Sequence, residues 1–472
     1  MRYWQNIDAA VQNRFVHIVV SVIAVFVIVA IPYIFIVDGH DNGAEPQIIG
    51  EAIAAGHGFS YPAKEAWLCT QLCQDAVADG DYAISAWADP VYPYLMAGLL
   101  SAFGETAMQK TLRVLGVFAF AGTLFLVALM GRRLAGHWAG LASLLFLLLV
   151  TRNYATAVNP AALSAFLVAL AAYILIWRGD SLTTKLSAAL GGLLGLNVLT
   201  WSSGLVFIPT IGLYLLVKDR FSRKAAANVA ILVLTSAALV TPWSIRNYLV
   251  FDELVPVRNG AGYIVWIGTV GAVGTFAPER VGVDTPVPWR ADGPFDAVST
   301  YSFETGDALR QELEEWQKQI LDEKVGAASA SFNEAQRDKW YMKEAVIFSF
   351  QNPGTAITLA AVKLHTFVTL VDMPVASLWP LALALSIATY VGTAGAFLFV
   401  KQRPVLMVPI LLTCAFALPF MFMSPFFYRY RQPVEPAIAL LVGVSFVMAI
   451  AWFWNSTYGQ AFRARFAKAV LP

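Results

Sequence analysis

The chain has 472 residues, 58% of them hydrophobic and 13% charged, with a mean hydropathy of +0.62. That is more apolar than a water-soluble domain tolerates, so the sequence reads as a polytopic membrane protein. A formal net charge of +1 with scattered basic residues offers no face for nucleic acid, and three cysteines are too few for a disulfide scaffold or an ordinary zinc cluster.

A helix needs roughly 20 apolar residues to cross the hydrocarbon core. Runs near that length lie at 15–37, 114–131, 137–151, 160–177, 186–200, 202–217, 225–244, 377–400, 404–424 and 433–454, and apart from Glu435 near the start of the last they hold no Asp, Glu, Lys or Arg. The first, Phe15 to Val37, is longer than a signal h-region and lacks a clean small-residue cleavage site, so it reads as a retained anchor. Basic residues punctuate the runs: Arg2 and Arg14, Arg132 and Arg133, Arg178 and Lys185, the Lys218–Lys224 group, Lys401 and Arg403, then Arg463, Arg465 and Lys468. Ten spans with both termini inside place every one of these clusters in the cytoplasm, as the positive-inside bias requires.

The same parity leaves 38–113 and 247–376 as two large outside loops, with shorter ones near 152–160, Trp201 and 424–432. The expected organisation is an N-terminal membrane module (1–246) that includes the first loop, the second loop as a small subdomain (247–376), and C-terminal membrane helices with a cytoplasmic tail (377–472). Val91–Phe103 and Ala356–Val371, the latter with Lys363 and His365, would break the parity as spans and read as helices lying along the outer membrane surface. In the second loop, Asp307–Lys324 alternates charges at helical spacing and predicts a solvated helix. GTVGAVG at Gly268–Gly274 imitates a phosphate loop without the strand–helix setting or the lysine, and is discarded. Cys69 and Cys73, four apart in the first outside loop, are placed either to pair or to remain free thiols.

The most informative stretch is TPWSIRNYLVFDELVP, Thr241–Pro256, where an apolar run stops at a Pro-Trp pair and Arg246 and Asn247 follow. An arginine on the outer side runs against the usual charge bias, and a lipid phosphate would give it a reason to be there. This stretch closely resembles the PWxxRNxxxFxxxVP signature of the polyprenol-dependent GT-C glycosyltransferases, relatives of protein O-mannosyltransferases and of the lipid A aminoarabinose transferase. Further matches follow in the family's order: Gly50–Ser60 (GEAIAAGHGFS), Asp89–Gly104 (DPVYPYLMAGLLSAFG), Gly131–Leu145 (GRRLAGHWAGLASLL), Lys339–Gly354 (KWYMKEAVIFSFQNPG) and Tyr428–Pro436 (YRYRQPVEP).

The resemblance implies an all-α GT-C membrane protein with juxtamembrane helices and two large periplasmic loops. The implied activity moves a sugar from a polyprenyl-phosphate donor to a hydroxyl on a glycan, lipid or protein, with inversion, at the outer face of the inner membrane. Besides donor, acceptor and membrane lipids it implies no nucleic acid partner, and nothing in the residues calls for a cofactor or a metal. Transfer of this kind needs a base for the attacking hydroxyl and cations for the departing phosphate. Asp41 in the first outside loop matches the family's catalytic-type acid; Glu45, four residues on, shares the candidacy, and Asp89 is the third carboxylate, with helix N-capping as its competing role. Arg246, Arg429, Arg431, Arg152 and Lys363 are the candidate phosphate ligands, with interfacial snorkelling as the competing role for the arginines. His57, Tyr61, Tyr92, Trp243 and Tyr430 are candidate substrate-lining residues, His57 also reading as a plain turn residue between two glycines. A transporter or flippase of lipid-linked sugars, and a non-catalytic assembly protein of the same fold, are the alternatives; the first expects internal repeats and intramembrane polar pathways, and neither stands out.

Overall fold

The structure, a computed structural model, describes residues 2–36, 44–62, 77–79, 82–151, 158–266, 268–269, 332–369, 379–401, 403–422 and 431–456. Its helices are α1 (Arg2–Ile36), α2 (Ala44–Ala54), α3 (Val91–Phe103), α4 (Glu105–Ala135), α5 (His137–Thr151), α6 (Ala161–Arg178), α7 (Thr184–Thr200) and α8 (Phe207–Lys218). There follow α9 (Arg223–Phe251), α10 (Ala261–Trp266), α11 (Glu334–Gln351), α12 (Pro353–Thr369), α13 (Trp379–Phe399), α14 (Met407–Phe420) and α15 (Glu435–Asn455). Both segments expected as surface helices are helical, one as α3 and the other, described to Thr369, as α12.

Among the described residues, 5 helices are long and apolar enough to cross a membrane: Ala10–Ile36, Glu105–Ala135, Ala161–Arg178, Arg223–Phe251 and Gln432–Trp454. The expected spans at 137–151, 202–217, 377–400 and 404–424 fall instead on apolar helices of 10–17 residues. The run at 186–200 becomes α7, whose Ser187, Asn197 and Thr200 are buried. A helix enclosed by its neighbours can carry such groups because they bond across the interface: Ser164 Oγ donates to Asn197 Oδ1 at 2.7 Å, and Ser236 Oγ of α9 donates to Gly191 O at 2.8 Å.

Two expectations are corrected. The run from Ala225 does not stop at Pro242, because α9 continues through that proline to Phe251. A single proline removes one backbone donor and leaves the rest of the ladder intact, and packed membrane helices tolerate it. Arg246 and Asn247 therefore ride on a helix. The first loop also holds a small antiparallel sheet, β1 (Ser60–Pro62), β2 (Val77–Asp79) and β3 (Tyr82–Ile84), in the order β1-β3-β2 with Tyr61 opposite Ala83. Strands of 3 residues are too short to leave a period in the sequence.

The main apolar core runs through α1, α4–α8 and α12–α15. Its packing gathers the basic residues at one end. The Arg132 guanidinium lies over the Phe15 ring, 5.0 Å from its centroid, where α4 meets α1. Asn228 near the start of α9 donates to Leu182 O in the turn between α6 and α7. Ser222 and Thr183 cap the adjacent helix starts, each accepting from a backbone N–H. The C-terminal ends of α7 and α9 and the start of α3 lie at the opposite end, in a second core with the sheet, α10 and α11.

Candidate functional site

At the end away from the basic loops, two polar junctions form. The first is built on the last two turns of α9. Asp252 adopts a left-handed conformation (φ 53°), which turns the chain back along the helix. The returning backbone is then stapled by side chains: Trp243 Nε1 donates to Val257 O at 2.6 Å, and Asn247 Nδ2 donates to Val255 O and Val257 O at 3.1 and 3.0 Å. Ser244 Oγ adds a bond to Pro256 O. The Arg246 guanidinium donates to Ser85 O at 2.7 Å, Asn247 Oδ1 at 3.0 Å and Phe59 O at 3.1 Å, and stands over the Trp243 and Phe59 rings at 5.0 and 5.5 Å.

Helix α11 closes this junction from the other side. The buried Glu334 accepts from Ser85 Oγ (2.9 Å), Ala86 N–H (2.9 Å) and Asn259 Nδ2 (2.8 Å). Burial pushes its carboxyl up to about 7, against the opposing pull of those three bonds. One turn on, Asp338 accepts backbone N–H groups of Gly260, Gly262 and Tyr263, and burial raises its carboxyl too. Gly262 has to be bare, because a Cβ there would sit 1.9 Å from Asp338 O. Trp87, Tyr263, Trp266 and Tyr341 pack into this core, with Tyr263–Tyr341 and Trp266–Tyr341 centroids 5.4 and 5.2 Å apart. Lys339 pairs with Glu253 at the exposed rim.

Four of the segments that carry the family resemblance thus meet here: Gly50–Ser60, the start of Asp89–Gly104, Thr241–Pro256 and Lys339–Gly354. Asp89 is not the N-cap of α3; that position is Pro90, and the carboxylate instead lies 3.9 Å from the Arg258 guanidinium, itself over the Trp87 ring at 5.8 Å. The helix begins at Val91 as expected, and Pro90, with helical angles (φ −72°, ψ −31°), stands between Asp89 and its first turn. Tyr61 and Tyr92 are buried, and Trp243 is spent on the staple and on an edge contact with Phe59. His57 occupies the turn between Gly56 and Gly58, both at positive φ, and its ring stacks on Tyr82 with centroids 3.7 Å apart. Glu45 lies in the first turn of α2, where only the backbone is described. Asp41, Arg152, Arg429, Tyr430, Cys69, Cys73 and the Asp307–Lys324 segment lie outside the described residues.

The second junction lies between α12, α15 and the 3-10 turn Gln432–Val434 that precedes α15. Arg431, 1% exposed, donates from Nε to Glu435 Oε1 at 2.5 Å and from Nη1 to Phe367 O of α12 at 2.6 Å. One turn earlier on α12, Lys363 is also 1% exposed and donates to Gly268 O at 2.5 Å; burial lowers its ammonium to about 7. Arg431 and Lys363, two of the expected phosphate ligands, therefore converge on one face of α12. The sequence reading missed Glu435 and Gln432 here, and Glu334, Asp338 and Arg258 in the first junction. The cue for Glu334 was present: Asn333 and Gln336 form a reciprocal capping box that marks the start of α11.

No protein-family model and no curated protein matches the chain. Among solved structures it is similar to the oligosaccharyltransferase of Archaeoglobus fulgidus. In the apo form of that enzyme the TM-score is 0.48 at 12% identity, over 92% of this chain and 54% of that one. In the complex of the same enzyme, AglB, with an inhibitory peptide and a dolichol-phosphate, the values are 0.46, 14%, 90% and 47%. It is also similar to ArnT of Cupriavidus metallidurans bound to undecaprenyl phosphate, with a TM-score of 0.35 at 15% identity over 92% of this chain and 78% of that one. The chain spans about half the length of the archaeal enzyme.

Proposed function

We propose that the protein is a membrane glycosyltransferase that takes a sugar from a polyprenyl-phosphate carrier and passes it to a hydroxyl acceptor at the outer face of the inner membrane. The observation that carries this reading is the convergence of chain segments matching the GT-C motifs at the end of the bundle opposite the basic loops. Residues far apart in sequence meet there, Phe59 with Arg246 and Ser85 with Glu334 at a separation of 249, through hydrogen bonds as well as through a shared apolar core. In this reading the two junctions divide the work. Arg246, with three oxygen acceptors already in hand, braces the first loop at Phe59 and Ser85, and Asp41 or Glu45 of that loop takes the acceptor's proton. Arg431 and Lys363, with Arg429 and Arg152 as further candidates, hold the donor phosphate, and Asp89 stays a candidate carboxylate paired with Arg258 in the first junction. Lys363 suits this task because a buried ammonium with one carbonyl partner gains from an anion.

The test is sugar transfer from synthetic polyprenyl-phosphate donors carrying mannose, an arabinose derivative or a hexuronic acid, with wild type beside Asp41→Asn and Glu45→Gln. Wild type should release polyprenyl phosphate with one of these donors, and the variant lacking the base should be slower by about 100-fold or more while still binding donor. Donor movement across vesicles without release of the phosphate would establish a flippase instead, and donor binding with neither would establish an assembly protein.

A further inference from the structure

Gln432 is 4% exposed, and neither its carbonyl oxygen nor its amide nitrogen has a hydrogen-bond partner among the described residues. Three residues on, at the head of α15, Glu435 is 3% exposed and uses Oε1 for Arg431 while Oε2 stays unpartnered. Residues at this spacing are neighbours on one helical face. Evolution removes such groups readily, since an apolar side chain of the same shape fills the same volume without the desolvation cost. Their presence together, with two acceptor oxygens and one amide donor group, describes a surface made to meet a neutral group rich in hydroxyls. The neighbouring cations describe something else. Arg431 and Glu435 balance each other, and Lys363 leaves one positive charge for an anion.

We propose that Gln432 and Glu435 form a sugar-reading subsite, accepting from and donating to the hydroxyls of the carried sugar while Lys363 and Arg431 hold its phosphate. This rests on the glycosyltransferase reading and names which part of the donor each residue contacts. It makes Gln432 a specificity-determining residue and Glu435 a dual one, tied to Arg431 through one oxygen and to the sugar through the other. The turn bearing Gln432 packs on α6 and α14, so the subsite is held by rigid helices on two sides.

The experiment compares wild type and Gln432→Leu for binding of bare undecaprenyl phosphate and of undecaprenyl phosphate bearing mannose, an arabinose derivative or a hexuronic acid, read by thermal shift of the full chain in detergent. Wild type should bind one sugar-bearing lipid more tightly than the bare one. Gln432→Leu should fold, melt at or above the wild-type temperature, bind the bare lipid as wild type does, and lose about 10-fold of the sugar preference. Bare-lipid binding serves as the check on folding. A variant that keeps the full preference, or a wild type that shows none, overturns the subsite while leaving the glycosyltransferase reading standing. A wild type that binds no polyprenyl phosphate overturns both. A Gln432→Leu protein that fails to bind even the bare lipid shows the amide to be structural and also overturns the subsite.

Discussion

Asn247 and Gln432 are both amides buried near the polar junctions at the ends of long helices, and they are used in opposite ways. The Asn247 amide spends both N–H bonds on Val255 O and Val257 O and accepts from Arg246, so its surroundings are closed by the chain itself. Gln432 has no such partners, and beside it Glu435 keeps an oxygen unpartnered and Lys363 a single carbonyl. A network completed from within rigidifies a fold; one left incomplete is costly to the fold and useful to a ligand. The α9 junction is accordingly a brace, and the α12–α15 junction is the place where a bound group makes the larger difference.

The sharpest way to break this comparison is to cut the brace. Asn247→Leu keeps the volume, takes the side-chain donor from the buried Val255 O at about 1–3 kcal/mol, leaves Val257 O to Trp243 Nε1 alone and removes one acceptor of Arg246, so thermal unfolding in detergent should move down by several degrees. An unchanged melting temperature would show that the returning 252–258 segment does not depend on the staple. The second test asks whether the other junction is held together by its own charges. Arg431→Met alone buries an uncompensated Glu435 and should cost about 3–5 kcal/mol, whereas Arg431→Met with Glu435→Leu should return to near wild-type stability and still lose donor binding. A double variant that binds polyprenyl phosphate normally would remove Arg431 from the phosphate site.

The smallest expected effect is pH dependence in the brace. The folded-state pKa of Glu334, about 7, stands above the ordinary 4.5 because burial penalises the charged form. The folded protein therefore holds this proton more tightly than the unfolded chain does. The stabilisation is fully present below about 4.5 and is lost as pH rises through about 7, an amount of roughly 3 kcal/mol across that window. Unfolding scans between pH 4.5 and 8 should show stability falling in wild type and a flatter profile in Glu334→Gln. A wild-type profile that rises over this range would place the carboxyl in its charged form and assign Glu334 to the three donors rather than to its burial.

The sequence by itself determined the membrane class, the position of nearly every helix and the end of the bundle at which polar chemistry gathers. Hydropathy and basic punctuation are summed over whole segments, so they survive without knowledge of contacts, and α5 at His137–Thr151 and α3 at Val91–Phe103 fall on the expected bounds. Motif resemblance likewise singled out Trp243, Arg246 and Arg431 as residues with a task. What the task is, only the tertiary structure decided. Arg246 reads as a phosphate ligand in a linear chain because its acceptors, Phe59 O and Ser85 O, lie 187 and 161 residues away. Asp89 looks like a cap until Pro90 takes that place and Arg258 comes within 3.9 Å. The capping box at Asn333 marks where α11 begins but not what Glu334 meets, and nothing local singles out Gln432: a buried side chain's role depends on which donors and acceptors the fold brings within about 3 Å, and that distance is set by the packing of segments far apart in the chain.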